Sequence, residues 1–547
     1  MSYKLNRQDV LITLGIFCFA LLLHFGRIGS SVNGTELATD PAMYCSIAAS
    51  IGNPEYFAQD FSLGDVANFD THVTPPVRLV QWLSSHVIDG NCGLAYLSLT
   101  GFVVFLHYFA FYLLGRFVFG APWKALLFSV LVSMCYWTPW GTYWGAGYLD
   151  YTPRTIFNGF YGLFLCVLLC LLHKPKLWPL LFFLLAGAVY IHPISALPVA
   201  AGTWLSLAFS RQQGCSLVKH FLWLCFAGLC FVIGILPYAA TYLYSSGMVL
   251  SADEVSYLQE ILRTRFEAEY VEYWQGMINF YKQYILLPVL PLALGATWLL
   301  LKRGSEKEKL LCRHIWLWVV GVYIVIALFL ADQIISASLG RVPLEFDLAR
   351  VHRFLPFLWM FLIFLGCNLL WRLAAEERLP HKGLCRFLCV AVCIGFFLGG
   401  LQTMAKVSLP YYFYALDKDR YEQAYAAKLA RNDMLKALQV VTRPGDTIFA
   451  PFEDQAIRYI AKRPLAWSWK DAGYLYHAKN LPLLHKWEDI LKELRQSPTA
   501  YISTGARTGA CYIVSDRKQD RELLEEQVGP VVWENSVYLV VKNLKKP

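Results

Sequence analysis

Long apolar runs separated by polar loops dominate the hydrophobic pattern of this 547-residue chain. A helix needs about 20 mostly apolar residues to cross the hydrocarbon core of a bilayer. The pattern therefore predicts a polytopic α-helical membrane protein with about 11 transmembrane helices. The predicted spans are residues 10–26, 92–115, 122–141, 155–172, 177–191, 194–210, 219–243, 283–301, 313–331, 354–371 and 385–404.

His192-Pro193 interrupts the apolar stretch 177–210. Proline breaks a continuous helix, so this stretch is interpreted as two short spans joined by a tight turn. A histidine at such a turn is typical of a hydrogen-bonded structural residue. The alternative is that His192 lines a substrate-binding cavity at the membrane surface.

Basic residues alternate in density from one loop to the next. Short loops with many Lys and Arg are typical of the cytoplasmic side, which places the N-terminus there in an inner (plasma) membrane. No small-residue cleavage site follows the first span, so it is expected to remain as an anchor. The basic set comprises Lys4, Arg7, Arg116, Lys124, Lys174, Lys176, Arg211, Lys219, Lys302, Arg303, Lys307, Lys309, Arg313, Arg372, Arg378, Lys382 and Arg386.

The composition changes after residue 405. Residues 1–405 are predicted to form the transmembrane domain, and residues 406–547 an extracytoplasmic α/β domain with a mixed sheet. Helices are predicted near 416–441, 453–463 and 487–497. Strands are predicted near 446–451, 465–469, 500–504, 511–515 and 537–542.

Charge and cysteine usage exclude some function classes. The net charge of +9 is spread over membrane-flanking loops without a block of five or six like charges, which argues against a nucleic-acid partner. The fifteen cysteines lack zinc-site spacing. Cys45 and Cys92 could form a disulfide if the first long loop faces an oxidising compartment.

The first outer loop, residues 27–91, is long and acidic. A connection of this length is typical of a functional segment. Helices are predicted at 41–51 and 77–83, both lying at the membrane interface. Asp40 is interpreted either as the cap of the first helix or as a reactive carboxylate. The acids are Glu36, Asp40, Glu55, Asp60, Asp65, Asp70 and Asp89.

Two other outer loops carry candidate substrate-binding residues. The stretch from Trp137 to Arg154 is either an aromatic belt, with Asp150 and Arg154 as a local ion pair, or a surface for a sugar and a phosphate. The later loop contains four basic or titratable candidates. These are Arg341, Arg350, His352 and Arg353.

Arg350 and Arg353 are one helical turn apart, at the start of the tenth predicted span. They are expected to share one face at the membrane surface. One interpretation is that they anchor lipid headgroups. The other is that they bind a lipid-linked phosphate, for which Arg offers bidentate geometry.

The arrangement resembles the GT-C superfamily of integral-membrane glycosyltransferases, in its acidic first outer loop, number of spans and outer C-terminal domain. It is also similar to uncharacterised bacterial membrane proteins of that architecture, over most of the chain. That similarity includes the His-Pro turn, the Arg-rich start of a late span and a C-terminal segment. The segment's residues are Phe449-Ala-Pro-Phe452, Arg458, Ala461-Lys-Arg463 and Trp469-Lys-Asp471.

The resemblance implies transfer of a sugar from a polyprenyl-phosphate donor to an extracytoplasmic acceptor. In the family a first-loop acid is the general base or orients the acceptor. Asp40 matches it best, with Asp60 as the rival, and Arg350 and Arg353 match the cations that hold the donor phosphate. The outer loops lack the clear Asp-x-Asp of the metal-dependent members of the family, so the resemblance leaves a divalent metal cofactor open and implies no other cofactor.

Two other classes remain open from the sequence. A transporter or flippase would need ionisable residues inside the spans, where His107 is a rare polar exception. A non-catalytic scaffold for envelope assembly would use the outer domain to bind partners. The expected partners of the leading class are a lipid-linked sugar donor and membrane lipids, and the oligomeric state is not indicated.

Overall fold

The computed structural model describes most of the chain. The described residues are 6–37, 39–133, 153–211, 215–246, 250–266, 278, 281–282, 289–339, 355–376, 381–407, 409–452, 454–475 and 478–545.

In the described residues, a helix lies in each of the eleven apolar segments predicted from the sequence. The chain is thus a helical membrane protein by the length and composition of these helices. They are α1 (Arg7–Ser30), α5 (Cys92–Phe119), α6 (Pro122–Ser133), α7 (Pro153–Leu171), α8 (Trp178–Val189), α9 (Pro193–Ala208), α10 (Leu217–Ser246), α12 (Val289–Arg303), α13 (Glu306–Leu339), α14 (Leu355–Ala375) and α15 (Lys382–Val407).

Five helices in the described residues are long and apolar enough to cross a membrane unaided. Several others, including α8 and α9, are apolar but shorter. Helices α8 and α9 are separate and the second begins at Pro193, so the predicted break at the His-Pro turn is confirmed. The five long segments are Arg7–Ser30, Cys92–Phe119, Leu217–Thr241, Glu306–Asp332 and Leu358–Ala375.

Close helix pairs build the core of the bundle. Helix α5 packs against α1, α6 and α7, while α9 packs against α13. Gly202 and Gly321 let the backbones of α9 and α13 come into contact, because a Cβ on either glycine would collide with the other helix. The fully buried indole of Trp318 fills the space beside this contact.

A buried ion pair ties α1 to α5. The Arg116 Nε donates to Asp9 Oδ1 at 2.7 Å, and the Tyr112 hydroxyl donates to the same oxygen at 2.5 Å. The sequence placed Arg116 among loop cations, but its guanidinium is buried in the bundle. Asp9 also closes the capping box of α1 with Asn6, so one carboxylate both starts the helix and fixes its neighbour.

The first loop folds into short helices. They are α2 (Thr39–Gly52), α3 (Pro54–Phe57) and α4 (Pro75–His86). The two helices predicted in this loop are therefore confirmed. Helix α11 (Ala252–Phe266) forms in a later loop and buries Leu258 and Ile261 against the C-terminal residues.

The residues after α15 form helices around a small mixed sheet. Its strand order is β1-β2-β4-β3, with β1 parallel to β2 and the other pairs antiparallel. The helices are α16 (Leu409–Tyr414), α17 (Lys418–Val441), α18 (Ala456–Tyr459), α19 (Ala472–Leu475), α20 (Leu481–Leu494), α21 (Ala500–Arg507) and α22 (Arg521–Gln527). The strands are β1 (Ile448–Phe449), β2 (Tyr512–Ser515), β3 (Val531–Glu534) and β4 (Leu539–Lys542).

Some local predictions in this part are wrong. Residues 500–504 form a helix where a strand was predicted, and β3 was missed. Residues 465–469 contribute one isolated bridge, from Leu465 to Ile448, and no full strand. The short apolar run Tyr501-Ile502 suits either structure, and here it packs as one face of an amphipathic helix.

Candidate functional site at the junction of the first loop and the C-terminal region

The first loop packs directly on the C-terminal region, which we define as residues 418–545. Helix α2 lies against α4, α5 and α18. Cys45, Ile47, Ala48 and Ala49 are all buried, and these consecutive positions point in different directions around the helix. The expected helix with one apolar face on the membrane is thus a helix buried on several faces.

Arg458 lies at the centre of this junction. Its side chain is 0% exposed. The Nε donates to Asp60 Oδ2 at 2.8 Å and Nη2 donates to Asp60 Oδ1 at 2.7 Å, which is the bidentate geometry that Arg favours. Its Nη1 donates to Asp471 Oδ1 at 2.8 Å. One guanidinium therefore joins the first loop to two parts of the C-terminal region.

Asp60 is fully engaged by its surroundings. Besides Arg458, its carboxylate accepts backbone N–H groups of Ser62, Leu63 and Leu465 at 2.8 to 3.1 Å. The side chain is 0% exposed. These contacts fix the turn after α3 and hold it against the strand-like segment at Leu465.

Asp471 completes the cluster from the other side. Its carboxylate accepts a hydrogen bond from the Ser62 hydroxyl at 2.8 Å and another from the backbone N–H of Ser468, in the same turn as Asp471. Burial raises the pKa of Asp471, and the positive charge of Arg458 opposes that rise. Two carboxylates around one guanidinium leave the buried cluster with one excess negative charge when all three groups are ionised.

Asp40 has a different environment. It lies in the first turn of α2, which begins at Thr39, so it is inside the helix rather than at the expected cap position. Its side chain is 47% exposed, and the Lys470 Nζ lies 3.5 Å from its Oδ1. Lys470 itself is nearly buried. Of the two candidate acids, Asp40 is thus the one that solvent reaches.

Two further cations of the C-terminal region pair with other acids of the first loop. Arg431 on α17 donates to Glu36 Oε1 at 2.7 Å and to Asp454 at 2.8 Å. Lys479 lies 3.3 Å from Asp70 Oδ2. The acidity of the loop therefore serves largely to bind cations of the C-terminal region, a role that the sequence reasoning missed.

His192 serves as the N-cap of α9. Its Nδ1 accepts the backbone N–H of Ser195 at 3.2 Å and pairs with the Ser195 hydroxyl at 2.7 Å. Local sequence alone could have shown this, since Ser195 is the third residue after His192. The geometry matches the structural interpretation of this histidine.

The side chains of the other predicted substrate-binding residues lie outside the described part of the structure. Arg154 lies in the first turn of α7, and its side chain is outside the described part. The remaining five lie outside the described residues altogether. They are Asp150, Arg341, Arg350, His352 and Arg353.

Cys45 and Cys92 are neighbouring free thiols and do not form the disulfide that the sequence left open. The Cys45 Sγ donates to the backbone carbonyl of Cys92 at 3.4 Å, and the Cys92 Sγ donates to the Ser84 hydroxyl. Burial raises the pKa of the Cys45 thiol well above its ordinary value. Both sulfurs act as hydrogen-bond donors that pack α2 and α4 onto α5.

Among the described residues, no group of three His, Cys, Asp or Glu side chains is placed to hold a metal ion. A search against protein-family models finds no match, and a search of curated proteins also finds none.

Proposed function

We propose that the protein is a membrane glycosyltransferase that uses a polyprenyl-phosphate sugar donor and an extracytoplasmic acceptor. In this proposal about eleven helices cross the inner membrane, the N-terminus is cytoplasmic and the C-terminal region lies outside. The first loop and the C-terminal region then form one face of the reaction site. The GT-C-like arrangement of spans and first loop supports this choice.

The observation that carries the proposal is the contrast between Asp40 and Asp60. Asp60 accepts five hydrogen bonds from Arg458 and three backbone groups, so it has no access to an acceptor hydroxyl. The Asp40 side chain is 47% exposed, and the Lys470 Nζ lies 3.5 Å from its Oδ1. A general base must come within hydrogen-bond reach of the proton that it removes, and of the two acids only Asp40 has the exposed carboxylate that this requires.

The chemistry assigned to Asp40 is proton removal from the acceptor. The carboxylate takes the proton of the incoming hydroxyl while that oxygen forms a bond to the anomeric carbon of the donor sugar. The bond from this carbon to the phosphate oxygen breaks, and the polyprenyl phosphate leaves with the electron pair. Lys470 orients Asp40, because its Nζ lies 3.5 Å from the Asp40 Oδ1.

The test is an Asp40→Asn variant of the full chain. We expect transfer to fall by about 100-fold or more, since positioned proton transfer contributes roughly 10² to 10⁴ in rate. Cells that express the variant in place of the native protein should accumulate the lipid-linked sugar, measured by mass spectrometry of lipid extracts. Asp40→Glu should retain partial activity because it keeps a carboxylate near the same place.

Glu55→Gln is the matched control, because Glu55 is an exposed acid of the same loop. It should leave the lipid-linked sugar pool unchanged. Unchanged pools in Asp40→Asn, with the variant present in the membrane at native level, would contradict the proposal. Movement of a labelled lipid-linked sugar across sealed vesicles without transfer would instead favour a flippase.

A further inference from the structure

A groove on the surface of the helix bundle lies far in sequence from the site described above. It runs between α6, the second half of α14 and the first half of α15, and its cavity volume is about 270 Å³. All three helix ends that frame it belong to the basic-rich loops. The groove therefore opens at the membrane side opposite to the proposed transfer site.

The lining of the groove is almost entirely apolar. Aromatic and aliphatic side chains and three thiols cover it, and the polar lining side chains are Lys124 and Asn368. The thiols of Cys367, Cys389 and Cys393 are free. Such a surface gains nothing from water and suits a hydrocarbon chain.

The groove has a buried floor and an exposed rim. Phe128 in the floor is 4% exposed, whereas Trp123 on the rim is 60% exposed and Ile394 is 50% exposed. Exposed apolar side chains on helices of this composition face lipid. The groove is thus open to the bilayer along its length, and a lipid chain can enter it sideways.

Lys124 places a positive charge at one end of the groove, its mouth. Lys124 lies two residues after the start of α6, over the Trp123 ring, and Leu131 lines the far end. Seven residues of helix separate Lys124 from Leu131, which is about 10 Å. No acidic residue is among the described lining residues, so Lys124 faces the mouth without a lining carboxylate to neutralise it.

A second cation lies beside the same mouth. Arg386 on α15 stacks over the Trp371 ring and donates to the Ala374 carbonyl. Trp123 and Trp371 mark the depth of the headgroup region, where indole rings concentrate. A phosphate at this depth would meet Lys124 directly and Arg386 at longer range.

We propose that this groove is a binding site for an anionic phospholipid of the leaflet at the basic ends of the helices. One acyl chain occupies the slot between α6, α14 and α15, and the phosphate pairs with Lys124. A slot of about 10 Å holds the upper part of the chain, while the rest continues into the bilayer. This site does not depend on the transferase proposal, because it involves none of the same residues.

The test is native mass spectrometry of the full chain released from detergent micelles. The probes are dioleoyl phosphatidylglycerol, dioleoyl phosphatidylcholine with the same chains, and a polyprenyl phosphate. We expect the anionic phospholipid to be retained about fivefold better than the zwitterionic one, the effect of one lysine near an anionic phosphate. Lys124→Glu should remove that preference, and Lys176→Glu, an exposed lysine of another basic loop, should keep it.

A second pair of variants tests the slot itself. Val390 lines the groove and is 43% exposed, whereas Leu388 on the same helix is 48% exposed and does not line it. Val390→Trp should fill the slot and lower retention of phosphatidylglycerol, while Leu388→Trp should not. Equal retention of the two phospholipids, a stronger retention of the polyprenyl phosphate, or no effect of Lys124→Glu would overturn the assignment.

Discussion

Two carboxylates of the same acidic loop have opposite environments. Asp60 is 0% exposed and bound by Arg458 and backbone N–H groups, whereas Asp40 is 47% exposed and lies 3.5 Å from the Lys470 Nζ. Both were candidates for the catalytic acid in the sequence, with Asp40 the better match and Asp60 the rival. The difference shows that a cluster of acids can contain structural and accessible members side by side, and that burial separates them.

The two environments also predict different effects on the free energy of unfolding. Removing one partner of a buried ion pair leaves an uncompensated charge in the interior, while an exposed pair is screened by water. The region around Arg458 should therefore control the stability of the junction. The region around Asp40 should control activity with little effect on stability.

The largest effect on stability is expected from Arg458→Met. This change leaves Asp60 and Asp471 as two buried carboxylates without a cation, and should cost about 3–5 kcal/mol. Thermal melting of the purified full chain should show a large drop in the midpoint. Arg420→Met is the control, because Arg420 is exposed and pairs with the exposed Asp417, so it should melt like the native protein.

A smaller loss is expected from Asp60→Asn. Arg458 would keep Asp471 as its counter-ion, but the new amide cannot accept all the backbone N–H groups that Asp60 accepts. Unsatisfied buried donors cost about 1–3 kcal/mol in total. The same melting experiment measures it. If the melting midpoint of Asp60→Asn were as low as that of Arg458→Met, Asp60 and Asp471 would not be held by Arg458 as a shared cation.

Acid should weaken the same junction through His72. Burial lowers the pKa of His72 to about 4 from 6.5, and its ring packs against Tyr474. Because the folded pKa is the lower one, the unfolded chain takes up the proton first, and stability falls as pH drops from 6.5 towards 4. At pH 5 the loss is about 1–2 kcal/mol.

His72→Phe supplies the control for this pH dependence. It keeps an aromatic ring against Tyr474 but cannot be protonated. Melting midpoints measured at pH 7 and pH 5 should differ less in this variant than in the native protein. An unchanged pH dependence would assign the acid sensitivity to other groups.

The smallest effect on stability is expected from Lys470→Met. Asp40 is half exposed, so the pair contributes only about 0–1 kcal/mol. The melting midpoint should stay within a few degrees of the native value. The proposed transfer activity should fall, because the Lys470 ammonium no longer positions the Asp40 carboxylate. A loss as large as that of Arg458→Met would show that Lys470 is part of the buried cluster.

The amino-acid sequence was informative where the physical signal is local. Each apolar run is helical, the break at Pro193 is present, and both first-loop helices exist. It was weaker for short elements of the C-terminal region. Residues 500–504 carry a pattern that suits a strand or a helix, and packing against the sheet decided in favour of the helix.

The site was only partly predictable for a related reason. Asp40 and Asp60 were both candidates, with Asp40 the better match, but no pattern within the loop predicts that Asp60 is buried and Asp40 exposed. Arg458 and Asp471 were noticed only as members of a C-terminal motif. Their role follows from a contact between residues 398 positions apart, which no local pattern carries.

The sequence by itself determined that this chain forms apolar helices with an acidic first loop, because hydrophobicity and helix length act locally along the chain. Only the tertiary structure decided which acid is buried with a guanidinium and which remains open beside Lys470. Charge pairing in the interior depends on distance in space and on exclusion of water, and neither is set until the loop has packed against the C-terminal region.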